Sequence, residues 1–202
     1  MKKAFIAILL FAPCALYAQL GLKAGYNYAN ITNASQVGAE SKSGFHLGAF
    51  LSPTSKGLFS SRTELIFSRQ GYNYETSTNT GTVDLDYIIL PQLMGINITK
   101  FVQVQAGFQV AYLLNAKADS TATSSSNTGT AKMMDMYNRF DYGFSAGLEL
   151  NPFKGMLLGA RANFGLGKLY KQQPAGPMPS FIPEVKTRNN VIQVFAGWRF
   201  GK

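Results

Sequence analysis

Eight segments in which apolar and polar residues alternate predict an all-β fold, an eight-stranded antiparallel up-and-down transmembrane β-barrel. The connections between them run long, short, long, short, long, short, long, so an up-and-down meander gathers every long loop at one rim and every short turn at the other. Aromatic residues supply the third observation, with tyrosines near the long-loop ends and phenylalanines near the short-turn ends. Beyond the N-terminal run, no stretch approaches the roughly 18 apolar residues that a membrane-crossing helix needs. Any passage through a bilayer is therefore made by strands.

The first residues stand apart. Met1-Lys2-Lys3 is a charged start, 4–11 an apolar run too short to span, and Ala15 and Ala18 are small residues before a cleavage point. Residues 1–18 read as a secretory signal peptide removed before Gln19, with Leu16 departing from the usual small-residue pattern. Lipidation at Cys14 is the alternative, and Ala12-Pro13 directly before it fits that poorly. Removing the signal removes the only cysteine, so the remaining 19–202, read as one barrel domain, forms no disulfide and no thiolate metal site.

The first strand, 20–28, sets Leu22, Ala24, Tyr26 and Tyr28 against Lys23, Gly25 and Asn27. After the polar stretch 32–42, the second, 43–52, sets Phe45, Leu47, Ala49 and Leu51 against His46, Gly48 and Phe50. A turn at 53–57 leads to the third, 58–72, with Thr63, Leu65 and Phe67 opposing Arg62, Glu64, Ser68 and Gln70. The polar loop 75–82 follows. The fourth strand, 84–98, carries apolar residues on both faces at Tyr87-Ile88-Ile89-Leu90, so its facing is left open, and Pro91 suggests a nearby bulge.

After the turn 97–100, the fifth strand, 101–115, alternates most cleanly, with Val102, Val104, Ala106, Phe108, Val110, Tyr112 and Leu114 opposing Gln103, Gln105, Gly107, Gln109 and Ala111. Residues 117–135 form a Ser/Thr-rich loop without periodicity. The sixth strand, 137–150, sets Phe140, Tyr142, Phe144, Ala146, Leu148 and Leu150 against Asp141, Gly143, Ser145, Gly147 and Glu149. The seventh, 156–169, sets Leu158, Ala160, Ala162, Phe164 and Leu166 against Gly159, Arg161, Asn163, Gly165 and Gly167. A proline-bearing loop, 172–189, leads to the last strand, 191–200, in which Ile192, Val194, Ala196, Trp198 and Phe200 oppose Gln193, Phe195, Gly197 and Arg199.

Lipid selects which face turns outward. A cation at the bilayer midplane costs about 2–4 kcal/mol, so a one-residue slip that exposed Arg161 would be disfavoured. All tyrosines but Tyr17 (Tyr26, Tyr28, Tyr72, Tyr74, Tyr87, Tyr112, Tyr137, Tyr142 and Tyr170) fall near long-loop ends, and Phe59, Phe101, Phe153 and Phe200 near short-turn ends. The aromatic girdle is accordingly assigned to Tyr26, Tyr28, Tyr72, Tyr112, Tyr142, Trp198 and Phe200. The formal charge of +9 falls by two when Lys2 and Lys3 leave, and the remaining cations are scattered singly, which argues against a nucleic-acid partner.

Six motifs occur in order: Gly21-Leu-Lys-Ala-Gly25, Gly44-Phe-His-Leu-Gly48, Glu64-Leu-Ile-Phe-Ser-Arg-Gln-Gly71, Leu85-Asp-Tyr87 followed by Leu90-Pro91, Gly107-Phe-Gln-Val-Ala-Tyr-Leu-Leu114, and Phe140-Asp-Tyr-Gly143. Together they resemble successive strands of the PorT-like outer-membrane β-barrel proteins of Bacteroidota. The resemblance covers essentially all of 19–202 and implies an eight-stranded barrel in the outer membrane with extracellular loops. It implies little chemistry, although the named member is associated with a protein-secretion system. Ile89 stands where many members carry an acidic residue before Leu-Pro, and Gly201 and Lys202 follow Phe200 where barrels commonly end on an aromatic.

An eight-stranded barrel is just wide enough for its side chains to fill it. The inward set Lys23, Arg62, Glu64, Asp141, Glu149, Arg161 and Arg199 is therefore expected to form a packed polar network in preference to a narrow conducting path. Arg199 seeks a carboxylate, with Glu149 and Glu64 as the two candidates. Glu64 and Glu149 read as salt-bridged residues, not as a poised acid and base. His46, the only histidine, reads as a hydrogen-bonded lumen residue, not as a metal ligand or a member of a hydrolytic triad. Gly165-Leu-Gly167 lacks the rest of a nucleotide fingerprint.

No catalytic residue, cofactor or metal is assigned. Expected partners are outer-membrane lipid and lipopolysaccharide, with an envelope protein as a further candidate through loops 117–135 and 172–189, the second carrying Met178, Phe181 and Ile182. The functional expectation is a monomeric, non-enzymatic outer-membrane barrel with a structural or interaction role. A narrow channel and a secretion accessory are the alternatives.

Overall fold

A strand with one apolar and one polar face is unstable alone, because both its edges present unpaired N–H and C=O groups. Closing eight such strands on themselves removes every edge. The computed structural model describes residues 18–32, 39–53, 57–75, 80–120, 134, 136–171 and 187–201. It consists of β1 (Ala18–Ile31), β2 (Glu40–Pro53), β3 (Phe59–Glu75), β4 (Thr80–Asn97), β5 (Val102–Ser120), β6 (Phe140–Leu150), β7 (Met156–Gly165) and β8 (Asn189–Arg199). Each strand pairs antiparallel with the next and β1 pairs with β8, giving a closed barrel. The closing seam runs from Gly21 opposite Arg199 to Ile31 opposite Asn189.

The β4–β5 and β6–β7 turns are held by local hydrogen bonds. Thr99 Oγ1 accepts from the backbone N–H groups of Phe101 and Val102 at 3.1 and 3.0 Å, which shapes the β4–β5 turn. In the β6–β7 turn Met156 N donates to Phe153 O at 3.1 Å, and Gly155 takes φ +90, a left-handed conformation that glycine adopts without penalty.

The walls are uneven in height. β6, β7 and β8 have 11, 10 and 11 residues, close to the roughly 9–11 that a tilted strand needs to cross a bilayer. β3, β4 and β5 have 17, 18 and 19, and their excess lies at the long-loop rim. The expected loops are correspondingly shorter. Glu75 pairs with Thr80 where a loop 75–82 was expected, and β5 continues through Lys117 to Ser120, taking the first part of the expected loop 117–135 into the sheet. Conversely, the sixth strand begins at Phe140, not 137, and the seventh ends at Gly165, with Tyr137 and Tyr170 joined beyond them by one isolated bridge. Residues 1–17, 121–133, 135 and 172–186 lie outside the described residues, and with them nearly all of the expected signal peptide and most of the two expected partner loops.

The facing of β4 is settled by its register. Val83, Leu85, Tyr87, Ile89 and Leu93 point inward, while Leu90, Met94 and Ile96 point outward. The irregularity expected near Pro91 lies higher, where Tyr87 pairs with Leu113 and Asp86 with Asn115, leaving Leu114 as an extra residue of β5. That bulge lets both Leu113 and Ala116 face inward.

Tyr26, Tyr28, Tyr112, Tyr142, Trp198 and Phe200 are exposed on the outer wall, as are Phe59, Phe101 and Phe153 at the short-turn rim. Tyr72 is a correction: it is 0% exposed and belongs inside the barrel, as do Tyr74, Tyr87, Tyr137 and Tyr170. Position along a strand brought Tyr72 near the rim. Parity decides its side, because Arg62, Glu64, Ile66, Ser68, Gln70, Tyr72 and Tyr74 alternate inward along β3.

The outer-wall assignment has a direct test. Ala146→Arg, in the exposed middle of β6, should destabilise the folded barrel by about 2–4 kcal/mol. Urea unfolding in lipid vesicles, followed by fluorescence of Trp198, would measure it, and an unchanged midpoint would contradict the lipid-facing register.

Candidate functional site

The inward face carries the polar chemistry because alternation gives it every second residue of each strand. Nearest the short-turn end lies a charged cluster. Glu64 accepts from Lys23 Nζ at 2.7 Å and from both terminal nitrogens of Arg161 at 2.8 and 3.0 Å. Glu149 accepts a two-pronged contact from Arg62, with Nη2 to Oε1 at 2.8 Å and Nη1 to Oε2. Arg199 Nη2 stands 3.6 Å from Glu149 Oε1, so Glu149 is the carboxylate it approaches. Lys23, Arg62, Glu64, Glu149 and Arg161 are all buried. Asp141 stands outside this cluster, a second correction: its Oδ1 accepts from the backbone N–H groups of Tyr142 and Gly167 at 2.7 and 3.0 Å. A side chain on Gly167 would collide with that carboxylate.

Uncharged residues bind the two charged halves together. Gln105 donates to Glu149 Oε2 at 3.1 Å and accepts from Arg161 at 3.0 Å. Gln105 also donates to Gln103, which in turn reaches Ser60 and Asn97 at 2.8 and 2.6 Å. Two rings cover the cations, with Lys23 4.2 Å and Arg161 5.3 Å from the Phe195 centroid and Arg62 4.7 Å from that of Phe50. Gln103, Gln105, Phe50 and Phe195 were assigned no role from sequence. Their inward parity was legible, but which cations they would meet depends on strands up to 172 positions apart, as for Lys23 and Phe195.

Above the charges lies a neutral layer. His46 Nδ1 is 2.8 Å from Asn27 Oδ1, which also accepts from Gln193 at 3.1 Å, while Asn27 donates to Ser68 at 2.8 Å. His46 thus sits in an amide and hydroxyl network. Ser145 Oγ lies 2.6 Å from Asn163 Oδ1.

Toward the long-loop rim the polarity inverts. The inner face of the tall wall becomes apolar, with Val83, Leu85, Tyr87, Leu113 and Ala116 packed against Met134, Tyr137, Leu169 and Tyr170. Tyr72 Oη lies 2.5 Å from Tyr170 Oη and 3.4 Å from Tyr137 Oη. The outer face becomes charged, with Lys42 paired to Asp84 at 2.7 Å and Arg69 to Asp86 at 2.7 and 3.1 Å. A wall in lipid turns apolar groups outward, and a wall in water turns them inward. The exchange falls between Phe67 and Arg69 on β3 and between Ile88 and Asp86 on β4. Those steps mark where β3–β5 leave the hydrocarbon. They also explain the double apolar face of 87–90, which straddles the boundary.

A closed barrel with an apolar belt outside and charges packed inside is the construction of a membrane-spanning β-barrel protein. The chain belongs to the outer membrane protein beta-barrel domain family, whose profile matches residues 11–171. Among solved structures it is similar to Ail, the attachment invasion locus protein of Yersinia pestis, with 14% identity, 91% of this chain and 99% of that chain covered, and a TM-score of 0.49. It is similar also to Neisserial surface protein A, with 13% identity, coverage of 90% and 97%, and a TM-score of 0.49. No curated protein sequence matches it.

Two substitutions probe the interior. Glu64→Ala leaves Lys23 and Arg161 without their shared carboxylate and should cost about 3–5 kcal/mol. A thermal melt in detergent that matches the parent would contradict the packed network. Tyr72→Phe removes only the hydroxyl that meets Tyr170 and should cost about 1 kcal/mol, seen as a smaller downward shift in the same melt.

Proposed function

We propose that this chain is a monomeric, non-enzymatic outer-membrane barrel, a PorT-like member of the family from Bacteroidota, whose role is structural or interactive and is exercised through its long-loop rim. In this reading residues 1–18 are a cleaved signal peptide, the short turns face the periplasm, and outer-membrane lipid and lipopolysaccharide surround the apolar belt. The observation that carries it is the filled interior: ion pairs, an amide layer and a tyrosine cluster occupy successive levels where a channel needs water. The paired carboxylates favour the same reading, since Glu64 and Glu149 are each engaged by guanidinium groups and are poorly suited to acid–base work. The six motifs along 21–143 support the finer PorT-like assignment, and a secretion-accessory role remains within it.

Reconstitution into planar bilayers should give no discrete conductance steps; reproducible single-channel steps would replace this reading with a narrow channel. Shortening 121–133 or 176–184 to a Gly-Ser linker should abolish cross-linking to an envelope protein partner while leaving heat-modifiable gel migration intact. Retention of the cross-link by both variants would overturn the loop-mediated role.

A further inference from the structure

The short-turn mouth of the barrel opens into a cavity of about 780 Å³ lined by Arg199, Lys100, Lys154, Gln103, Ser60 and Asn97, among others. Among the described residues that line it there are three cations and neither Asp nor Glu. Directly behind it, the charged cluster places four cations, Lys23, Arg62, Arg161 and Arg199, around only two carboxylates, Glu64 and Glu149. The shortfall falls on Arg199. Glu64 is taken by Lys23 and Arg161, and Glu149 by Arg62 and Gln105, so Arg199 has only a 3.6 Å approach to an oxygen that Arg62 already holds at 2.8 Å. Its Nε is buried without a hydrogen-bond partner. Its side chain is 27% exposed, on the cavity side of the fully buried Glu149.

Uncompensated positive charge in a low-dielectric barrel is costly, and an anion supplied from the open end relieves it. We propose that this mouth is a binding site for a phosphate-type oxyanion, with Arg199 at its floor and Lys100 and Lys154 at its rim. A guanidinium fork fits a tetrahedral oxyanion with two parallel N–H donations, whereas chloride offers no such geometry. Ser60 and Asn97 add neutral polar groups. The same chemistry is presented by free inorganic phosphate and by the headgroup of an anionic phospholipid. The site is independent of any role of the long loops.

The test uses the whole barrel folded into phosphocholine nanodiscs and titrated with inorganic phosphate, with ionic strength held constant by chloride. Calorimetry should show saturable binding, and the side-chain Nε resonance of Arg199 should shift with the same midpoint. Arg199→Gln should weaken the apparent affinity about tenfold or more, as expected for losing a charge-assisted hydrogen-bond pair, and Lys154→Gln should weaken it less. If Arg199→Gln fails to fold, the shift of the Arg199 resonance in the parent protein decides. Absence of saturable binding, an unmoved Arg199 resonance, or unchanged affinity in a folded Arg199→Gln variant would overturn the site. Repeating the titration in nanodiscs containing phosphatidylglycerol separates the two sources. A weakened response to phosphate there assigns the site to a lipid headgroup, and an unchanged one assigns it to the free anion.

Discussion

Hydrocarbon offers no water to an unpaired backbone N–H or C=O, and the rest of this structure follows from that constraint. It forces β1 onto β8, from Gly21 opposite Arg199 to Ile31 opposite Asn189. Once the ring is closed, every residue of every crossing strand must be either lipid-facing or enclosed, with no third environment available. Phe195 and Trp198, three residues apart on one strand, are therefore assigned to opposite sides by parity alone.

Enclosure in so narrow a barrel turns the interior into a packing problem. Charged residues facing the lumen meet one another at hydrogen-bond distance, and the cluster around Glu64 and Glu149 meets the cost of burying charge by pairing it. The solution is asymmetric. The core of the cluster is tightly coordinated, whereas its edge at the short-turn mouth carries a surplus cation, Arg199. A cluster whose inner cations each hold a carboxylate at 2.8 Å or closer, and whose outermost cation does not, has a natural place for a ligand at that end.

The uneven wall adds a second level of organisation. β3, β4 and β5 continue well beyond the length needed to cross a bilayer, and above the boundary they behave as a water-soluble sheet, apolar inside and ion-paired outside. Met134 and segments 136–139 and 166–171 pack onto that sheet, with Leu113 N donating to Arg139 O at 2.7 Å and Asn138 N to Leu169 O at 2.9 Å. One chain thus carries two cores of opposite polarity, stacked along one axis. The tyrosine cluster is the core of the upper one. Its three hydroxyls on Tyr72, Tyr137 and Tyr170 satisfy polar groups that a purely apolar plug would not carry.

Strand number, direction and the outward faces of β1, β5, β6, β7 and β8 were legible in the sequence, because a period-two pattern is a local property and lipid enforces it at every step. The inward identities of Lys23, Arg62, Glu64, Glu149, Arg161 and Arg199 were legible for the same reason. Tyr72 was legible by the same parity, in step with Arg62, Glu64, Ser68 and Gln70, and was misassigned because its nearness to the rim was read in place of its side. The facing of β4 was not legible, because it depends on whether lipid or water lies beyond the wall at that height, and no local pattern reports height. Asp141 has inward parity, yet lies too high to reach the charged cluster. The sequence by itself determined a closed, inside-out barrel, through alternation and the spacing of turns. Only the tertiary structure decided which carboxylate each cation receives and which cation is left at the mouth, because partners such as Arg161 and Glu64 are brought together by barrel closure across 97 positions of chain.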